Sequence, residues 1–236
     1  MKILAIDTSC KTAMVSLSEN GTVIAAMQLH DNKTHSVKML PAVEYVLSAA
    51  DTKFEDLDVL AVTTGPGSYT GLRIGVTTAK TLSYTLKIPL IGINTLEALA
   101  ASCDFGGERA NSIVCPMIDA RNARVYGGIY KNGKVLQETC VMECAEFCEK
   151  IEQLLNDGAE QVIFIGDGAL ANKELISEKF ADKSVFVPVE FSCGNPQALS
   201  FVAAKKYSEA AEAGKLAECD AQNLKVNYYK NYTDSI

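Results

Sequence analysis

The chain has 236 residues, 48% of them hydrophobic, and carries 22 Lys and Arg against 29 Asp and Glu, a formal net charge of −7. That is enough for a large core in one domain or two lobes, and too apolar for a disordered chain. The acidity argues against a protein that grips nucleic acid by itself, because phosphate contacts need clustered Lys and Arg.

The N-terminal stretch MKILAIDTS meets Asp7 too early for the apolar region of a signal peptide, and no run reaches the length of a membrane span. A cytoplasmic protein with no membrane partner is expected. Lys2 to Thr8 reads as a strand ending in Asp7. Ala13 to Ser18 and Thr22 to Leu29 read as two more, joined by Asn20-Gly21, a strong hairpin signal. Thr34 to Ala50 reads as a helix, with Pro41 tolerable only near its first turns. Its apolar arc comprises Met39, Leu40, Val43, Val46, Leu47 and Ala50, extended by Ala42, Tyr45 and Ala49. The arc spans roughly two-thirds of the circumference, wider than one core requires. The excess points to a second body. Leu40, Val43 and Leu47 are assigned to the core, and Met39, Ala42 and Tyr45 to the partner side.

Asp58 to Thr63 is a strand, its apolar run Val59 to Val62 reading as buried, and the stretch TTGPGSYTGLRIGVTTAKTL follows at 63–82. Gly65-Pro66-Gly67 makes a tight turn, and Ser68 or Thr70 caps a helix. On that helix Gly71, Gly75, Thr78, Ala79, Leu82 and Leu86 share one side, with Leu72 and Val76 flanking it. Arg73, Thr77, Lys80, Tyr84 and Lys87 lie opposite. Two interior glycines each cost about 1 kcal/mol relative to alanine, so a close backbone approach must compensate. Two readings stand: packing on the chain's own sheet, or an interface with another subunit. Pro89 to Ile93 is a further strand, and Asn94 or Thr95 opens a short helix through Ala101.

Cys103 to Asn111 marks a boundary, giving lobes at 1–102 and 103–236. The second lobe repeats the first. Ile113 to Ile118 ends in Asp119, and Asn132-Gly133 lies thirteen residues beyond it, as Asn20 lies thirteen beyond Asp7. The strand and glycine turn at Gln161 to Gly168 echo those at Val59 to Gly67. A duplicated β-β-β-α-β-α unit follows. Glu143 to Asn156 and Asp167 or Ala169 to Lys179 are helices, and Ser184 to Val187 is a strand. Asn195-Pro196 starts the last long helix, and Asn223 to Tyr232 is an extended tail.

The eight cysteines form no C-x-x-C pair, and with two histidines a histidine-rich metal site is impossible. Cys140, Cys144 and Cys148 are spaced to share a helix face and read as small buried hydrophobes. Ser68 lacks the G-x-S-x-G elbow of a hydrolase.

Two duplicated lobes, each opening strand–Asp–hairpin, are the plan of the actin-like ATPase (ASKHA) superfamily: two ribonuclease-H-like lobes with mixed five-stranded sheets flanked by helices. Nucleotide-binding members resemble Asp-x-Gly-Thr at the first loop, where glycine admits a phosphate. Here the two loops read Asp7-Thr8-Ser9-Cys10 and Asp119-Ala120-Arg121-Asn122. Both aspartates then read as residues bonding their own turns rather than Mg²⁺ ligands.

The segments IDTS at 6–9, HSVKMLP at 35–41, TGPGSYTGLRIGVTTAK at 64–80, IPLIGINTLEALA at 88–100 and DARNARVY at 119–126 resemble the TsaB (YeaZ) family. The resemblance implies a non-catalytic scaffold or dimerization subunit in the synthesis of threonylcarbamoyladenosine at position 37 of tRNAs reading ANN codons. It implies a TsaD-type catalytic partner, a small TsaE-type ATPase and a homodimer when alone. The acidity predicts tRNA contact only through the complex, and the loops lacking glycine predict no cofactor of the subunit's own. The family's first two helices form the partner contact. Carried onto this chain, that surface is Met39, Ala42, Tyr45, Val46 and Ala49 with Gly71, Gly75, Val76, Thr78 and Ala79. TsaD carries Asn-His-x-x-x-His where this chain has Asn94, Thr95 and Leu99, so a metal site is not expected. The alternative is an ATP-dependent small-molecule phosphotransferase of the actin-like superfamily, which the two loops lacking glycine disfavour.

Overall fold

A computed structural model describes residues 1–30, 35–103, 111–155 and 159–229. Lys33, a candidate for any basic patch on this acidic chain, lies outside the described residues, as does the end of the tail. The chain folds as two compact units.

The first unit comprises 1–95 and 195–227. Its sheet holds β1 (Lys2–Asp7), β2 (Thr12–Glu19), β3 (Thr22–His30), β4 (Val59–Gly65) and β5 (Leu90–Asn94) in the order β3-β2-β1-β4-β5. The hairpin pairs β1-β2-β3 are antiparallel, and β4 and β5 join in parallel, as their helical crossovers require. α1 (His35–Ala49) and α2 (Tyr69–Leu86) cover one face. Met39, Val43, Val46 and Leu47 of α1 and Val76 and Ala79 of α2 close on Leu4, Ile6, Val15 and Leu17. Pro41 sits within α1, on its exposed side, rather than at its first turn.

The second unit comprises 96–194 and 228–236. Between the two sheets in sequence lies α3 (Thr95–Ala101). The second sheet holds β6 (Ser112–Arg121), β7 (Arg124–Lys131), β8 (Lys134–Glu143), β9 (Gln161–Ile165) and β10 (Ser184–Phe186) in the order β8-β7-β6-β9-β10, the same as the first. α4 (Cys144–Leu155), α5 (Asp167–Ala171) and α6 (Lys173–Phe180) belong to this unit. Asn172 breaks what the sequence suggests is one helix. Cys144 and Cys148 lie on α4, buried beside Phe147 and Ile151, whereas Cys140 is a strand residue, so the expected three-cysteine helix face does not form. Burial pushes the Cys115 thiol up.

The expected lobe boundary at 102/103 differs from this arrangement. α3 packs Leu96 and Leu99 against Val114, Ile118 and Ile163 of the second sheet. α7 (Pro196–Glu212) instead belongs to the first unit and lies against β1, β2, β3 and β5. There Ser200 and Ser16 hydroxyls meet at 2.8 Å. Each repeat thus gives its last helix to the other unit.

Candidate partner-binding surface

The glycine-rich stretch at 63–82 is accounted for within the first unit. The Ser68 hydroxyl caps α2 by accepting from the Gly71 N–H at 3.2 Å. A Cβ at Gly71 would run into the Thr8 carbonyl oxygen, and one at Gly75 into the Thr8 hydroxyl. The Thr8 hydroxyl in turn donates to the Gly71 carbonyl at 2.7 Å. At Gly65, which takes φ +120°, an added Cβ would stand 2.7 Å from the Asn227 carbonyl oxygen. Asn227 is tied there by its N–H, which donates to the Thr64 carbonyl at 2.8 Å. The smooth face of α2 therefore receives the end of β1, and the glycine turn receives the C-terminal segment.

This placement corrects the sequence-derived partner set. Met39, Ala42, Val46, Val76 and Ala79 are buried in the first core, and Gly71 and Gly75 are buried against Thr8. Tyr45 and Ala49 are exposed, and Thr78 is half-buried with its hydroxyl bonded back to the Ile74 carbonyl. Leu40, assigned to the core, is 45% exposed, whereas Ala42, assigned to the surface, is 3% exposed. The wide apolar arc of α1 is open at both ends, at Leu40 and at Tyr45, and its middle, with Met39, Ala42, Val43 and Val46, is closed in the core.

The exposed sides of α1 and α2 carry several large apolar groups: Val37, Leu40 and Tyr45 on the first, Tyr69 and Tyr84 on the second. Single exposures of this kind are ordinary, and the two helices that carry them contact one another. The Arg73 guanidinium lies 4.0 Å from the Tyr69 ring centroid. Thr77 and Thr81 lie on the same exposed side, and the Thr81 hydroxyl donates back to the Thr77 carbonyl at 2.9 Å.

Asp7 and Asp119 share one bonding pattern. Asp7 Oδ1 accepts from the Ser9 N–H at 2.8 Å and from the Thr63 hydroxyl at 2.8 Å. Asp119 Oδ1 accepts from the Arg121 N–H at 2.8 Å. Asp7 closes the turn after β1, whereas Asp119 bonds within the last three residues of β6. Thr95 opens α3, and Leu99 is buried in the second core. Among the described residues no helix is long and apolar enough to cross a membrane.

The model of the family described as TsaD, tRNA N6-adenosine threonylcarbamoyltransferase, matches residues 23–228. The tRNA threonylcarbamoyladenosine biosynthesis protein TsaB of Bacillus subtilis is 35% identical over 229 residues, covering 94% of this chain and 97% of the relative. The structure of YeaZ from Pseudomonas aeruginosa superposes with a TM-score of 0.71 at 21% identity, covering 96% of this chain and 99% of that one. A hexokinase from Thermus thermophilus shares the fold at a TM-score of 0.53 and 12% identity, over 88% of this chain and 100% of the other. These likenesses identify the actin-like architecture that the two matching sheets display.

Proposed function

Since the chain belongs to the TsaB (YeaZ) family, we propose that it is the non-catalytic scaffold subunit of the complex that makes threonylcarbamoyladenosine in tRNA. The near full-length relation to a TsaB protein carries this reading. The partner is a TsaD-type catalytic subunit, and the match of the TsaD family model over most of the chain supports a paralogous pair.

The contact surface is the exposed side of α1 and α2, with Leu40 and Tyr45 on one helix and Tyr69 and Tyr84 on the other. Alone, the chain pairs with itself through the same surface. A TsaE-type ATPase joins the complex, tRNA is held only when the subunits are assembled, and the assembly works in the cytoplasm. Three observations favour a non-catalytic role. Asp7 and Asp119 each accept from the N–H two residues on, Asp7 also from the Thr63 hydroxyl, the glycine turn is covered by Asn227, and Leu99 in the second core cannot ligate a metal. The same observations disfavour the phosphotransferase alternative.

Reconstitution tests the reading. tRNA modification by the catalytic paralogue, measured with and without this chain, should require it. Tyr45→Glu combined with Tyr84→Glu should keep the circular dichroism of the wild type and lose the stimulation. A chain that turns over ATP by itself, with the turnover abolished by Asp7→Ala, would overturn the non-catalytic assignment.

A further inference from the structure

Charge is spread unevenly over this acidic chain. Residues 59–96, which contain all of α2, include no Asp or Glu, although the whole chain carries 29 of them. Arg73 and Lys80 lie on α2, and Lys87 is its C-cap. Seven residues are close to two helical turns, so the three side chains leave one side of the helix, about 10 Å apart along its axis. Arg73 and Lys87 are exposed and Lys80 is half-buried. The neighbouring elements leave this stripe positive. α1 adds Lys38 and Glu44, both exposed and of opposite sign. Asp220 lines the groove at the end of α2 with Lys87. It is a single carboxylate, held in its own loop by the Gln222 and Asn223 N–H groups, each donating at 2.7 Å, and by the Asn223 side-chain amide at 3.1 Å.

We propose that this stripe docks on an acidic surface of the catalytic paralogue, whose carboxylates face Arg73, Lys80 and Lys87. The proposal rests on the reading above, in which the exposed sides of α1 and α2 meet that subunit, and it assigns the chemistry of the α2 half. Three like charges select an anionic occupant, because a neutral or basic one would cover them without partners. A nucleic acid is the other anionic candidate, and two observations disfavour it. Phosphate-binding surfaces use hydroxyl donors beside their cations. Here the exposed Thr81 and Thr85 hydroxyls donate to the Thr77 and Thr81 carbonyls of their own helix at 2.9 and 2.8 Å. The net charge of −7 also repels a polyanion along its whole length, whereas carboxylates on a folded partner are met only locally.

Calorimetric titration of the catalytic paralogue, at low and at high salt, tests this with three full-length proteins. They are the wild type, Arg73→Gln/Lys80→Gln/Lys87→Gln, and Leu40→Glu/Tyr45→Glu on α1. Circular dichroism of both variants should match the wild type. Wild-type binding should weaken as salt rises, and the α2 variant should bind about tenfold more weakly at low salt and respond little to salt. The α1 variant should bind weakly at both salt concentrations. Wild-type affinity indifferent to salt overturns the acidic contact, whatever the variants do. So does an α2 variant with wild-type affinity and salt response. If the α1 variant is weakened in that same comparison, the shared surface stands and only the charge assignment fails. Loss in the α2 variant with none in the α1 variant upholds the acidic contact and removes α1 from the interface. An α2 variant that binds the paralogue normally but lowers tRNA retention by the assembled complex overturns the proposal in favour of phosphate.

Discussion

Ala42 is a small residue on the apolar arc of α1 and is only 3% exposed. The helical period of α1 identifies a wide apolar arc, but an alanine is equally at home in a core or on a flank, so the period alone does not say how much of the arc is open. The structure puts Ala42 beside Met39, Val43 and Val46 in the first core. Ala42→Glu therefore places a carboxylate where it has no partner. An unpaired buried charge costs several kcal/mol, against a total stability of about 5–15 kcal/mol for a domain. The variant is expected to unfold or to melt far below the wild type, as Val43→Glu should. Tyr45→Glu, three residues on and 61% exposed, should change stability by less than about 0.5 kcal/mol. Thermal melts followed by circular dichroism decide it, and an Ala42→Glu protein as stable as Tyr45→Glu would show that the core assignment is wrong. The two aspartates were more legible. A carboxylate at or near a strand end, before a polar turn, commonly bonds the N–H two residues on, and Asp7 and Asp119 both do so.

At the level of elements, strong local signals were readable and tertiary partners were not. Asn20-Gly21 and Asn132-Gly133 form hairpins with both central residues at positive φ, as that dipeptide requires. The hairpin between β6 and β7 turns at Asn122 and Ala123, and alanine at φ 57° gives no such signal. The glycines of α2 announce a close approach but not what approaches. The structure supplies Thr8, and the prediction is correspondingly sharp. Replacing a helix-interior glycine by alanine gains up to about 1 kcal/mol of propensity. At Gly71 the new methyl would press on the Thr8 backbone carbonyl, which cannot swing aside as a flexible side chain can. Overpacking of this kind costs typically about 1–3 kcal/mol and sometimes more, so the clash outweighs the propensity. Gly71→Ala should lower the urea midpoint, while Thr77→Ala on the exposed side of the same helix should leave it unchanged or slightly raised. A Gly71→Ala midpoint at or above that of Thr77→Ala would mean that α2 does not seat on the end of β1.

For the molecule as a whole, the duplication is visible in sequence because equal spacings from Asp7 and Asp119 to their hairpins survive divergence. The exchange of last helices is not visible, because nothing local in an amphipathic helix specifies which of two similar sheets it covers. Contiguity suggests that 1–102 is a lobe, but the structure gives α3 to the second core and α7 to the first. A fragment of 1–102 would thus leave the α7 side of β1 and β2 bare and carry Leu96 and Leu99 with no sheet to cover. α7 brings Leu199, Val202 and Ala203, all buried, to that side. Fully burying a leucine or valine is worth about 1.5–3 kcal/mol, so losing this helix removes a large part of a domain's net stability. The fragment is expected to show no cooperative thermal transition and to bind a hydrophobic dye. A rewired chain, 1–95 joined through a flexible linker to 195–227, contains every element of the first unit and should melt cooperatively. Circular dichroism and dye binding on the two polypeptides compare them directly. Cooperative melting of 1–102 alone would mean that α7 is dispensable to the first core, and failure of both would mean that the first unit depends on the second for more than its helix.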